Sequence, residues 1–320
     1  MPELRHDPVS GRLVVVAPER STRPHTSRPL GDATDAPADC PFCHGNEDRT
    51  PPEVHRTGPG APDTPGWDIR VVPNLYPIVG GDHEAPGATG AHEVVVLCPD
   101  HNRSFAMLDD DQAIELVTVL RDRTRAHLAA GHRSVEVFVN HGKEAGASLP
   151  HPHAQVVALD FVPPAAEAGL ARFEAAGVDL VGCQIEEVDG GPLSLSGGDA
   201  PSWCPNASGS PYEMRIAHRT ARAGFETATD DEIAVVAIAW RDSLARLGAA
   251  VGDVPYNVIV HSAPPPESRA AGTRFHWYID VVPRLSIVAG FEMGSGVFVN
   301  IVTPEVAASR LRDRDLPARG

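Results

Sequence analysis

Two stretches of this chain space their apolar residues as one face of a helix does, while most other hydrophobic positions fall in short, strand-like blocks. Residues 109–129 set Ile114, Val117, Leu120 and Leu128 at helical intervals behind three aspartates, a charge pattern that suits a helix start. Residues 230–247 repeat that pattern. Shorter apolar runs predict strands over 13–17, 67–74, 92–98, 134–140, 256–261 and 275–282, and one further helix is expected over 165–176. The order helix, strand, loop, strand therefore occurs twice, which we read as an internal duplication. It divides the chain into a first unit over 1–163, a connection rich in Pro, Gly and Ser over 164–206, and a second unit over 207–320.

Length and charge narrow the classes. A chain of 320 residues, 42% of them hydrophobic, suits two domains of ordinary size. The formal charge is −16, Lys143 is the only lysine, and no basic run is present, so a nucleic-acid or anionic-membrane partner is not expected. A small anionic ligand needs only a few well-placed arginines. The first residues lack the apolar core of a signal peptide and no segment has the length of a membrane span, so a cytoplasmic protein is expected. Five cysteines are an odd number for a disulfide framework and point instead to metal binding.

The chemistry concentrates in residues 140–158. Along an extended strand His151, His153 and Gln155 share a face. A neutral imidazole attacks phosphorus well near pH 7, and a covalent intermediate splits one transfer into two easier ones. The preceding loop offers backbone N–H groups at Gly142, Gly146 and Ala147 and the hydroxyl of Ser148, all suited to phosphate oxygens. Upstream, Cys40-Pro41-Phe42-Cys43 is followed by a poor helix start, which favours a metal knuckle over a redox pair. Two thiolates make half of a tetrahedral zinc site; His44, Cys98, His101 and His151 are candidates for the other half, and zinc on His151 would fix the aim of His153.

The run from Asn140 through Gly146-Ala147-Ser148-Leu149-Pro150-His151-Pro152-His153-Ala154-Gln155 resembles the active-site signature of the galactose-1-phosphate uridylyltransferases, a branch of the histidine-triad superfamily. The resemblance extends from Asp7 to about Asn300. It implies an α+β fold of two tandem histidine-triad-like domains, each an antiparallel sheet with helices packed on one face, in a homodimer whose sites use both subunits. It implies that His153 takes UMP from UDP-glucose and hands it to galactose-1-phosphate or a related hexose phosphate. Gln155, Ser148 and Asn140 would hold phosphate, Arg20 and Arg23 would add phosphate contacts, Asn74 would touch the nucleoside with Phe42 and Val72 nearby, and Glu292 would meet sugar hydroxyls. Structural zinc would sit on Cys40, Cys43, His101 and His151.

Three departures stand out. Ala147 replaces a frequent cysteine, the downstream glutamine expected near Phe298 and Asn300 is missing, and Tyr278 stands in the second copy where His153 stands in the first. One active half is therefore expected, with His261 and His276 as polar core groups. The altered sugar segment keeps a nucleotide-sugar or dinucleoside polyphosphate phosphorylase as the alternative activity, with a non-catalytic nucleotide sensor as a third.

Overall fold

The computed structural model describes residues 2–22, 37–80, 89–269 and 272–314. The chain opens with β1 (Glu3–His6) and β2 (Leu13–Val16). It then runs through β3 (His55–Arg56), β4 (Arg70–Pro73) and β5 (Gly90–Val96) into helix α1 (Asp110–Ala129) and the pair β6 (Ser134–His141) and β7 (His153–Leu159). Helices α2 (Pro164–Ala176) and α3 (Leu180–Val188) precede strands β8 (Ser194–Ser196), β9 (Ser202–Trp203) and β10 (Met214–Ile216). The second repeat supplies α4 (Asp230–Val251), β11 (Tyr256–His261) and β12 (Tyr278–Pro283), and the described chain closes with α5 (Gly290–Ser295), β13 (Val297–Asn300) and α6 (Pro304–Arg312).

Ten strands form one sheet in the order β3-β4-β5-β7-β6-β11-β12-β10-β9-β8. The repeats meet edge to edge where β6 pairs antiparallel with β11, Val139 opposite Val258, so the two expected sheets are continuous. Residues 164–206, read in sequence as a connection, carry two helices and two strands that lengthen this sheet.

Both long helices start where the side chains dictate. The Asp109 carboxylate accepts from the Gln112 backbone N–H and the Gln112 side-chain Oε1 accepts from the Asp109 N–H; Thr229 and Glu232 repeat the device on α4. The helices pack on each other across the seam. Arg121 donates to Asp230 at the head of α4 (2.7 Å), and Arg241 donates to Asp110 at the head of α1. Beneath them lies a single core, with Leu116 and Leu120 of α1, Trp240 and Leu244 of α4, and Val137, Val156, Val258 and Ile279 from the sheet. Each such side chain contributes about 1.5–3 kcal/mol by leaving water, and on this face of the sheet the two repeats share one core.

The other face of the sheet differs between repeats, and this difference positions the site. Over the second repeat α2 and α3 cover it, packing Phe173, Val181 and Ile185 with Val9, Phe275 and Tyr278. Over the first repeat the described cover is the cysteine knuckle, where Cys40, Phe42 and Trp67 bury Val72, Val94 and Val96, with Val79 against Val157 and Leu159 farther along. A separate three-stranded sheet, β1-β2-β13, lies with the second repeat, anchored by the Ala17 N–H on the Asn300 carbonyl and by Asp7 on Arg215. Among the described residues no helix is long and apolar enough to cross a membrane.

Candidate active site

Strand β7 begins at His153, so the His-Pro-His segment enters the sheet only at its second histidine. His153 pairs opposite Val96 and Gln155 opposite Val94, and the two share one face as period-two geometry requires. His151 sits in the bend before the strand, fully buried, and turns into the knuckle.

Its Nε2–H donates to the Cys98 carbonyl (2.9 Å), which leaves Nδ1 to face sulfur. Nδ1 lies 3.6 Å from the Cys40 Sγ and 3.5 Å from the Cys43 Sγ, while His101 Nδ1 is 3.3 Å from the Cys43 Sγ. All four donor atoms fall within 4.8 Å of one another. Zinc–sulfur and zinc–nitrogen bonds of about 2.3 and 2.0–2.1 Å at tetrahedral angles give S···N edges of about 3.5 Å, so this donor set fits a tetrahedral ion. Burial and the neighbouring Cys40 push the Cys43 thiol up to about 11, and burial pushes His151 down to about 4. A divalent cation would draw the thiols to thiolates and needs the histidines neutral. Cys98 turns its sulfur to the carbonyls of Asp100 and Arg103 instead, and His44 packs edge-on against Trp67.

The knuckle also shapes the neighbouring cavity. Phe42, held between the two cysteines, places its ring 5.4 Å from the His153 ring. His153 is 7% exposed, and its Nδ1–H donates to the His151 carbonyl at 2.9 Å, so the lone pair resides on Nε2. Burial depresses its imidazolium pKa and the carbonyl opposes that. A cavity of about 430 Å³ opens beside it, walled by Phe42, Val72, Val94 and Leu149 and lined on its polar side by Asn74, Ser148, Gln155, Arg49 and Thr50. That combination suits an aromatic base with a phosphate attached.

Of the residues picked out from the sequence, His153, Gln155, Ser148, Asn74, Phe42 and Val72 are brought to this cavity. Others are not. The Gly146 and Ala147 N–H groups donate to the carbonyls of Lys143 and Gly142, because the loop closes as a tight turn with Gly146 at φ 92°, so they are spent as phosphate donors. Asn140 accepts from the Asn257 amide (2.7 Å) across the seam. Arg20 is exposed beyond β2, and Glu292 caps α5 by accepting from the Ala289 N–H; both stand on the second-repeat side, away from the cavity lining. Arg23 lies outside the described residues. Sequence reasoning missed Arg49 and Thr50, which follow the knuckle, and His92, whose Nε2 lies 2.9 Å from the Gln155 Oε1.

The second repeat has the same frame with other contents. Its strand begins at Tyr278 as β7 begins at His153, but Tyr278 is roofed and 4% exposed. Arg215 lies 4.6 Å over the tyrosine ring, fully buried, and donates to Asp280 (2.8 Å) and to Asp7 (3.1 Å). His276 is held by Asp179 and the His218 carbonyl, each at 2.8 Å, and His261 reaches Asp280 at 3.3 Å.

Residues 81–163 match the family model described as the N-terminal domain of galactose-1-phosphate uridyl transferase. Over 98% of this chain and 93% of the relative, the sequence is 30% identical to ADP-glucose phosphorylase of Arabidopsis thaliana. It is 27% identical to galactose-1-phosphate uridylyltransferase of Thermotoga maritima over 99% of both. The crystal structure of the Arabidopsis thaliana ADP-glucose phosphorylase with bound ADP-glucose superposes with a TM-score of 0.85 at 28% identity, covering 99% of this chain and all of that one. With a likeness that runs the length of the chain and a family match that contains the His153 strand, this protein belongs to the galactose-1-phosphate uridylyltransferase family of the histidine-triad superfamily.

Proposed function

We propose that the protein moves a nucleoside monophosphate from a nucleoside-diphosphate sugar through a covalent adduct on His153, and that inorganic phosphate is the acceptor, with ADP-glucose as donor. The observation that carries this is the neutral, buried His153 with its Nε2 lone pair beside a cavity shared with Gln155, Ser148 and Asn74. Nε2 attacks the α-phosphorus, the bond to the bridging oxygen breaks, and glucose-1-phosphate leaves. Phosphate then attacks the same phosphorus, the P–N bond breaks, and ADP leaves with His153 restored. Ser148 and the Gln155 amide hold the equatorial oxygens as charge builds.

Two observations favour phosphate over a hexose phosphate as acceptor. Asn300, near the place where a sugar-holding glutamine was expected, spends its amide on the Ser208 and Ser210 carbonyls (2.9 and 3.2 Å). The 30% identical relative is a phosphorylase by name. Uridylyl transfer from UDP-glucose to galactose-1-phosphate is the second reading, supported by the Thermotoga maritima relative.

Zinc on Cys40, Cys43, His101 and His151 would act as a structural clamp that fixes the bend ahead of His153. Arg20 and Glu292 reach a cavity only if a second copy brings them. The exposed Ile287, Phe291 and Met293 beside Glu292, and Leu75 and Tyr76 at the cavity, support a homodimer with shared sites. Five free cysteines suit a reducing compartment, and we place the enzyme in the cytoplasm.

Acceptor dependence tests the reading. With ADP-glucose, release of glucose-1-phosphate should require added phosphate and yield ADP. Turnover that prefers UDP-glucose and requires galactose-1-phosphate would replace the phosphorylase with the transferase.

A further inference from the structure

We infer that His92 is a positioning residue for nucleotidyl transfer: it locks the Gln155 amide with its N–H groups available to the α-phosphate. This rests on the transfer reading above. His92 lies on β5, two residues before Val94, the partner of Gln155, so the two side chains are diagonal neighbours on the cavity face.

The tautomer of His92 follows from its surroundings. The Ile78 backbone N–H points at Nδ1 (3.2 Å), and a backbone N–H only donates, so Nδ1 is the acceptor and the proton sits on Nε2. Nε2–H then donates to the Gln155 Oε1 at 2.9 Å. Burial lowers the His92 pKa, opposed by this Gln155 bond, which is consistent with a neutral ring. Asn74 is tied into the same group: its Oδ1 accepts from the Tyr76 N–H (2.9 Å), and its amide nitrogen lies 3.1 Å from His92 Nε2 and 3.4 Å from Nδ1, a near-equal separation that sets it against the ring face and leaves the in-plane bonds of the two nitrogens to Ile78 and Gln155.

A glutamine amide can present either a donor or an acceptor to a ligand. With Oε1 held by His92, the donor end of Gln155 is left for the cavity, which is the end a phosphoryl oxygen needs. Without His92 the amide is free to flip and set its carbonyl against the developing negative charge. The loop at Ile78, strand β5 and strand β7 thus act on one hydrogen-bond donor.

The test is a double-mutant cycle on the rate at which ADP-glucose, and separately UDP-glucose, labels His153, followed by intact-mass spectrometry. His92→Leu should slow labelling by about 10- to 100-fold, as loss of an orienting partner does. His92→Gln, which keeps a donor at the Nε2 position, should recover most of that rate. In a Gln155→Ala background His92→Leu should cost almost nothing further, because its effect runs through the missing amide. Equal losses from His92→Leu with and without Gln155 would overturn the assignment and make His92 a packing residue. No labelling of the wild-type protein by either donor would overturn the transfer reading and the role of His92 with it; a labelled wild type with additive losses removes His92 alone.

Discussion

The carbonyl of His151, 2.9 Å from the His153 Nδ1, decides which nitrogen of His153 is free, and so a backbone bend sets the chemistry of a side chain. The same scale governs the roofed second copy. Asp7 is 1% exposed beside Arg215, and that guanidinium, with Ser10, outweighs burial and holds the Asp7 carboxyl down at about 2. A folded pKa below the unfolded value contributes stability that is present above about pH 4 and is lost as the pH falls through about 2. The shift corresponds to about 2 kcal/mol. Denaturant titrations between pH 5 and pH 2 should show this loss, and Asp7→Asn should be less stable at pH 7 with a flatter acid limb; an unchanged acid limb would remove Asp7 from the account. That His153 and Gln155 share a cavity and that the knuckle cysteines gather two histidines was legible in the sequence, because each is a special residue type at a telling spacing. His92 was not: a histidine in an apolar strand carries no local sign of the backbone N–H at Ile78 that fixes its tautomer. The loop glycines misled for the converse reason, since sequence marks a tight turn without saying whether its N–H groups are consumed by it.

At the level of elements, the site depends on how closely β5 lies against β7. Gly90 has φ +154°, and a Cβ there would come within 2.0 Å of the Ala158 carbonyl oxygen. Gly90→Ala should force the strands apart at their far end, destabilising the fold by about 1–3 kcal/mol and slowing His153 labelling through the His92–Gln155 contact; wild-type stability and rate would show that the pairing tolerates the shift. Helices α1 and α4 were readable because their apolar spacing and capping residues agree, and Asp110–Ala129 and Asp230–Val251 start where the aspartates predict. Residues 164–206 were harder to read. The helix expected over 165–176 is present as α2, but α3 rests on the narrow apolar face of Val181, Ile185 and Val188, and β8 and β9 are only three and two residues long, too short for periodicity to register. Their role as cover for the second repeat is a tertiary fact. The knuckle is an element in the same sense: Cys43→Ser should abolish binding of one zinc per chain, measured by elemental analysis, and weaken labelling of His153 by loosening Phe42. A protein purified with no zinc, and labelled equally well with and without it, would contradict the clamp.

Across the whole molecule, the two repeats share one sheet but differ in what covers it. The second repeat is covered by α2, α3 and the N-terminal turn, and its tyrosine is buried under Arg215; the first is left open to a ligand beside His153. A shared site in a homodimer would bring Arg20 and Glu292 of a second copy to that opening. Sedimentation should give twice the 33.9 kDa chain mass, and Ile287→Asp with Phe291→Asp should yield a folded monomer whose turnover falls at least about tenfold through lost positioning; a monomeric wild type of full activity would exclude shared sites. Whether His153 carries the nucleotide is read from the intact mass of the protein after brief incubation with ADP-glucose or UDP-glucose, beside His153→Ala. One nucleoside-monophosphate adduct per chain is expected in the wild type, none in the variant, and discharge of the adduct by inorganic phosphate. An adduct that persists in His153→Ala, or turnover of either donor with no adduct on trapping, would contradict it.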